Sequence, residues 1–406
     1  MEYKVMYLMM VTADANNNKY YKMIPKGDTF IVEYGRVGSK PQVRSYPIKD
    51  WNKKLREKIS KGYTDKSELM EDLIQEEKPK EKKLYLDIPN KDIQNIVDRL
   101  QKMAKQTISA NYNITSDKVT QAMVDKAQDI LTNLIAIQNV DDFNKLLLEL
   151  FEVIPRKMHK VSEYLAQTKD DFSKIIQKEQ DLLDVMKGQV YQHSVTQSTE
   201  NEQVENDAPT MNILEAMGLE FQPVDDLDIV KIKYHLGQDE NKFYRAWKVT
   251  NKATQQSFDT YIKDNNNPTT KLLWHGSRNE NWWSIINSGL VLRPTNAVIT
   301  GKMFGYGIYF ATKARKSIGY TSLSGSYWAR GSSTSAFMGL YEVAYGKPFD
   351  VYSFDSKYYS LNYENLQKMC QGANCLHAHA GKMLANDEII VYQQPQTTIK
   401  YLVEIR

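Results

Sequence analysis

Three stripes of apolar side chains at helical spacing run through the middle of this 406-residue chain and limit what it can fold into. Val119, Met123, Ile130, Leu134 and Ile137 form the first stripe. Phe143, Leu146, Leu147, Leu150, Phe151 and Ile154 form the second, stopped by Pro155, and Phe172, Ile175, Ile176, Leu182, Leu183 and Met186 form the third. Residues three or four apart share one face of a helix, and a proline ring cannot continue it. Helices with such stripes bury them against one another, so a bundle is predicted here. The pattern differs on the N-terminal side. Tyr3–Thr12 and Thr29–Tyr34 alternate or are β-branched, as strands are, with turns at Gly27-Asp28 and Gly38-Ser39-Lys40-Pro41. Trp51, Leu55 and Ile59 mark one helix over Asp50–Ser60, which Gly62 ends.

The chain therefore reads as multidomain α+β. A small β-rich module is expected over 1–75, a charged linker with Pro79 over 76–86, and an all-α helical bundle over 87–194. A polar, acidic, aperiodic connector expected to be flexible follows over 195–211, then a mixed α/β domain over 212–406. Hydrophobic residues make up 41%, enough for real cores. Two cysteines speak against a disulfide framework and fit a reducing compartment. No apolar run is long enough for a membrane span and no signal peptide is read, so no membrane partner and no secretion are expected. The basic run at 78–83 reads as a solvated linker before it reads as a nuclear signal.

The overall charge of +3 hides an asymmetry. Residues 1–66 carry 14 Lys/Arg against 7 Asp/Glu, whereas 91–193 carry 14 against 15, so the basic surplus sits in the first module. Neutralising phosphates is the main source of non-specific nucleic-acid affinity, and that surface suits it.

The chemistry concentrates in the last third. Leu272-Leu273-Trp274-His275-Gly276-Ser277-Arg278 is followed by Met303-Phe304-Gly305-Tyr306-Gly307-Ile308-Tyr309-Phe310-Ala311, by Lys316-Ser317-Ile318-Gly319-Tyr320, and by Asn386-Asp387-Glu388 before Ile389-Ile390-Val391-Tyr392. Two tyrosines can hold a flat amide ring such as nicotinamide between aromatic faces. The Gly276 backbone and the Ser317 hydroxyl can supply the donor and acceptor a carboxamide needs. His275 can fix a ribose hydroxyl, and Glu388 can stabilise positive charge on a sugar whose glycosidic bond is breaking. Singly, each residue is commonplace; in this order and with these neighbours the set points to NAD.

These motifs resemble the catalytic domain of the poly(ADP-ribose) polymerases, the H-Y-E group of ADP-ribosyltransferases, from about Asn212 to Arg406. The resemblance implies His275, Tyr309 and Glu388 as the catalytic triad, and Gly276, Ser317 and Tyr320 around the nicotinamide. It puts Ser277 and Asn281 on the adenosine side, NAD as a consumed substrate, and no metal. Val291 stands where some members carry an arginine near the adenine, with Arg293 two residues later, and 320–388 departs from the pattern. The triad glutamate implies competence for polymer growth, with the protein itself and other proteins as acceptors.

Asn16-Asn17-Asn18-Lys19-Tyr20-Tyr21 and Glu33-Tyr34-Gly35-Arg36-Val37-Gly38 resemble a WGR domain, with Tyr34 in place of tryptophan. In that family the module grips DNA strand breaks at their 5′ phosphate and contacts the catalytic half. Asn18, Lys19 and Arg36 match motif positions implicated in such contacts, and Tyr63 falls near a position where an aromatic stacks on the terminal base. Leu-Phe-Glu-Val-Ile-Pro at 150–155 resembles a helix end of the family's regulatory helical domain. The implied mechanism is autoinhibition released by DNA, so deleting 87–205 is expected to give DNA-independent activity. The resemblance implies a nuclear enzyme in a eukaryotic host and a cytoplasmic one otherwise. Three alternatives stay open: a DNA-end-binding scaffold with weak catalysis, a mono-ADP-ribosyltransferase, and an NAD glycohydrolase. Cys370, Cys375, His377 and His379 pack four soft ligands together, but their crowding favours a loop over a zinc site.

Overall fold

The computed structural model describes residues 3–69, 85–113, 119–202, 210–266, 269–292, 303–382 and 384–406. The basic run at 78–83, Arg293 and residues 203–209 of the expected connector lie outside these. The chain forms two compact units, Met1–Glu81 with Lys105–His193, and Lys82–Ala104 with Ser194–Arg406.

In the first unit, β1 (Met6–Thr12), β2 (Asn17–Lys26), β3 (Thr29–Arg36), β4 (Gln42–Pro47) and β5 (Thr64–Asp65) form one antiparallel sheet in the order β4-β3-β2-β1-β5. Alternate residues turn inward, and Leu8, Tyr21, Met23, Phe30 and Val32 close over Trp51 of α1 (Trp51–Ser60). The helices are α2 (Lys91–Asn111), α3 (Gln121–Leu134), α4 (Val140–Val153) and α5 (Phe172–Glu202). Thr120 and Asn139 cap α3 and α4 by accepting from the Met123 and Asp142 amides, which explains where these helices begin. The expected stripes are their buried faces, with Phe143 stacked on Phe172 at 3.8 Å. Helix α5 continues to Glu202, past the expected end at 194, because intrahelical hydrogen bonds do not require an apolar stripe.

Sheet and helices of this unit are joined by polar side chains. The Glu152 carboxylate accepts from the Val11 amide (3.3 Å) and the Thr64 hydroxyl (2.8 Å) and pairs with Lys66 (3.2 Å). Asn18, 0% exposed, donates to the Arg156 carbonyl at 2.8 Å. The Arg156 guanidinium is itself buried against Glu179 at 3.1 Å and lies over Tyr112.

The second unit is built on a nine-stranded sheet. Its elements run α6 (Ile213–Ala216), β6 (Leu219–Pro223), α7 (Asp226–Leu236), β7 (Phe243–Asn251), α8 (Lys252–Asp264), β8 (Thr270–Gly276), α9 (Trp282–Ser288), β9 (Ile308–Ala311) and α10 (Ala314–Ile318). Then come β10 (Ala336–Ala344), β11 (Pro348–Val351), α11 (Tyr363–Met369), β12 (Cys375–Ala378), β13 (Glu388–Val391) and β14 (Thr397–Ile405). The strand order is β11-β12-β13-β9-β8-β10-β14-β7-β6, antiparallel except for β11 with β12. One core gathers Trp274, Met338, Leu340 and Val403 around β8, β10 and β14. A second gathers Phe304, Leu376, Ile390 and Tyr392 around β9, β12 and β13. The seam between them is β8 with β9, which pair through a single residue pair, Trp274 with Ala311.

The expected bundle boundary at 87 is not where the compact units divide. Residues 91–104 of α2 belong with this sheet. Asp92 accepts from the Trp247 indole (2.8 Å) and pairs with Arg245 (3.3 Å). Arg99 donates to the Ser335 hydroxyl (2.8 Å), lies over Phe337, and pairs with Glu404 at 2.8 Å. Glu404 is 0% exposed, neither of its oxygens has an aligned hydrogen bond among the described residues, and Arg99 pairs with it directly. Removing one member of a buried pair costs about 3–5 kcal/mol because a bare charge is left behind. Arg99 keeps part of its surface in water, so Arg99→Met is expected to cost about 2–4 kcal/mol. Urea unfolding followed by circular dichroism measures it, and Glu404→Gln in the same background should recover most of the loss.

Candidate active site

Gly276 ends β8, and the site begins there. A Cβ at this position would fall inside the Ser317 carbonyl oxygen, so only glycine lets the end of β8 lie against α10. That approach brings Lys316 and Ser317 beside His275. The His275 ring is boxed edge-on by Phe310 and Tyr341, and its Nδ1 lies 3.0 Å from the Tyr309 carbonyl oxygen. A carbonyl only accepts, so Nδ1 carries the proton and Nε2 is the acceptor nitrogen.

Tyr309 is the second residue of β9. Its hydroxyl accepts from the Phe304 amide (3.0 Å) and donates to the Gly305 carbonyl (3.1 Å). Gly305 has φ +70° and would collide with Leu361 if it carried a Cβ, so glycine makes this tight wrap possible. With its hydroxyl so engaged, Tyr309 presents an aromatic ring. Burial pushes its phenol far up, opposed by the Phe304 amide and reinforced by Glu388, so it stays protonated.

Glu388 opens β13, opposite Ala311 of β9 and Ala378 of β12. Its buried carboxylate forms an ion pair with Lys316. Tyr320 follows α10, is 42% exposed, and stacks on Trp328 at 6.1 Å. Burial and then the Glu388 charge push its phenol up to about 12. The Glu388 charge is thus a shared cause of the rise at Tyr309 and Tyr320.

On the other flank, Asn281 donates to the Ser277 hydroxyl at 3.0 Å. The Asn281 Oδ1 is buried and has no hydrogen-bond partner among the described residues. A buried acceptor left unpaired costs about 1–3 kcal/mol, which a ligand donor would remove. Both residues lie within five positions of Gly276, just after the end of β8. The structure thus brings His275, Gly276, Tyr309, Ser317, Tyr320 and Glu388 together, with Ser277 and Asn281 adjoining.

A family model described as the poly(ADP-ribose) polymerase catalytic domain matches residues 227–406, and one described as the WGR domain matches 4–69. A protein of Invertebrate iridescent virus 6, described as putative poly [ADP-ribose] polymerase-like 100L, is 32% identical over 174 residues, 41% of this chain and 88% of its own. This chain belongs to the poly(ADP-ribose) polymerase family. Its C-terminal domain is an NAD+ ADP-ribosyltransferase domain of the polymerase type, and NAD is the consumed substrate. The same virus has an uncharacterized protein 101L, 32% identical over 237 residues, 57% of this chain and 95% of its own. Poly [ADP-ribose] polymerase 2-B of Oryza sativa subsp. japonica is 26% identical over 369 residues, 82% of this chain and 57% of its own. This chain thus spans little more than half the length of that polymerase.

Lys316 is the residue the sequence reading passed over. It stands inside the quoted Lys-Ser-x-x-Tyr motif, but its partner Glu388 lies far along the chain, and only the β9–β13 pairing brings them together. The four WGR positions separate into two pairs. Asn18 is buried on Arg156, and the Arg36 guanidinium donates to the carbonyls of Asn16 (2.7 Å), Met158 (3.2 Å) and His159 (2.7 Å), so both hold the helical segment of their own unit. Lys19 is exposed, and Tyr63 lies 5.4 Å from the Lys58 ammonium. Among the described residues no helix is long and apolar enough to cross a membrane.

Gly276→Ala tests this geometry. The methyl must force β8 from α10, an overpacking cost of about 1–3 kcal/mol. A lower Tm and NAD affinity weakened more than ten-fold are expected, read by thermal unfolding and by calorimetry with NAD.

Proposed function

We propose that this chain is a poly(ADP-ribose) polymerase switched on by DNA strand breaks, releasing nicotinamide and building ADP-ribose chains on itself and other proteins. The observation that carries the reading is Glu388, buried on Lys316, whose charge acts on Tyr309 and Tyr320, with His275 held against the Tyr309 carbonyl. As the bond from nicotinamide to ribose breaks, positive charge develops on the sugar, and a fixed carboxylate in a dry site stabilises it. Lys316 orients that carboxylate until the sugar's charge replaces it as partner. The same carboxylate can accept a proton from the ribose 2′-hydroxyl that receives the next unit. His275 Nε2 and the Tyr309 and Tyr320 rings hold the dinucleotide in register.

DNA response is supported by the first unit's surface. Lys58 stands over the rings of Tyr21 (4.2 Å), Tyr63 (5.4 Å) and Tyr34 (6.0 Å), with Arg44 over Tyr34 and Lys19 exposed nearby on β2. Cations interleaved with aromatics suit a strand end, phosphates on the former and a base on the latter. Helix α2 supplies a route for the signal, since 91–104 belong to the catalytic unit and 105–111 to the unit bearing the WGR sheet. DNA bound to the first unit pulls on α2, and the population of the NAD-competent state rises. In a eukaryotic host that role belongs in the nucleus.

Incorporation of labelled NAD, with and without a 5′-phosphorylated duplex and beside Glu388→Gln, tests the proposal. A DNA-dependent high-mass smear that the variant loses is expected. A single sharp band would replace polymer with mono-ADP-ribosylation, and no label despite tight DNA binding would leave a scaffold. Lys19→Ala and Lys58→Ala should each weaken duplex binding and lower the slope of log K against log salt by about 1, read by fluorescence anisotropy.

A further inference from the structure

We propose that Asp350, His377 and His379 form a binding site for one divalent transition-metal ion at the β11–β12 edge of the catalytic sheet, with Asp387 orienting it. The placement follows from the sheet. In the parallel β11–β12 pair, Asp350 lies directly opposite His377, and His379, two residues on, returns to the same face. His379 Nε2 is 2.7 Å and His377 Nδ1 is 3.8 Å from Asp350 Oδ1, and the three candidate ligand atoms all lie within 4.8 Å of one another. Ligand atoms about 2.0–2.2 Å from a tetrahedral zinc lie about 3.3–3.6 Å apart, between those two distances. Small side-chain rotations would therefore centre an ion.

A histidine hydrogen-bonded to an aspartate is common at a sheet edge and by itself indicates no metal. What separates this cluster is its support. His377 Nε2 faces Asp387 Oδ2 at 3.2 Å, and the other Asp387 oxygen accepts the Ala380 amide at 2.7 Å. A fixed carboxylate on the far nitrogen holds the proton on Nε2 and turns the Nδ1 lone pair toward Asp350, as in carboxylate–histidine–metal arrangements. The Tyr345 hydroxyl, 2.9 Å from that Nδ1, occupies the lone pair until a cation displaces it. His379 is held by stacking between His377 (3.8 Å) and Tyr352 (4.4 Å).

The site differs from the cysteine–histidine set visible in the sequence. Cys375 shares the face, but its buried thiol donates to the Tyr345 carbonyl instead. Cys370 caps the end of α11 and packs on the β9–β12–β13 core. Two imidazoles and one carboxylate suit zinc, cobalt, nickel or copper, and water completes the set; magnesium and calcium prefer all-oxygen ligands.

The test is a titration of chelator-treated full-length protein with Co2+, followed by its visible d–d absorption. One saturable equivalent is expected, displaced by Zn2+ and untouched by Mg2+. His379→Gln and Asp350→Asn should each weaken it more than ten-fold, and Asp387→Asn about ten-fold through orientation alone. Asp350 is exposed, so its variant carries the test should His379→Gln unfold by circular dichroism. No saturable Co2+ binding, or a titration unchanged in the Asp350 and His379 variants, would overturn the proposal.

Discussion

The catalytic half of this protein depends on one close approach of backbone to backbone, the end of β8 against the carbonyl of Ser317. Gly276 is the only residue type that allows it, and its consequences spread outward. Because α10 can lie against β8, Lys316 reaches across to Glu388 while Ser317 stays beside the strand end. β8 and β9 share one residue pair, whereas β8 and β10 pair over seven.

Charge organises the structure as much as apolar burial does. Glu152, Arg156 with Glu179, and Arg99 with Glu404 are ions taken out of water where helices meet sheets. Pairs of this kind add little net stability, since desolvation offsets attraction, but a misplaced partner leaves a bare charge. They therefore specify register. An apolar stripe can slide by a turn with modest loss; Asp92, on the Trp247 indole, and Arg99, on a fully buried carboxylate, cannot.

Lys316 gives the buried Glu388 carboxylate its partner. In the proposed reaction the positive charge developing on the ribose takes the place of that ammonium. The Tyr309 hydroxyl is engaged at both its donor and acceptor sides, which leaves the ring as the part of that residue open to a ligand.

Periodicity made the helices legible, since the stripes of α3, α4 and the start of α5 are their buried faces, and alternation marked β1 and β3. The motif around His275, Tyr309, Ser317 and Glu388 was legible because each part is local and its residue types are constrained. What local pattern could not carry was every pairing between distant segments. Asn18 and Arg36 matched motif positions, yet the structure uses them to hold residues 156–159, an outcome fixed by what packs against β2 and β3. Lys316 was visible without a role, Asp350 was unremarked until β11 lay beside β12, and the division of α2 between two units followed no change in its pattern. The sequence by itself determined the family, the elements and the residue types at the site. Tertiary structure alone decided which charges meet, because ion pairs and strand register depend on positions in space that residues far apart in the chain acquire only on folding.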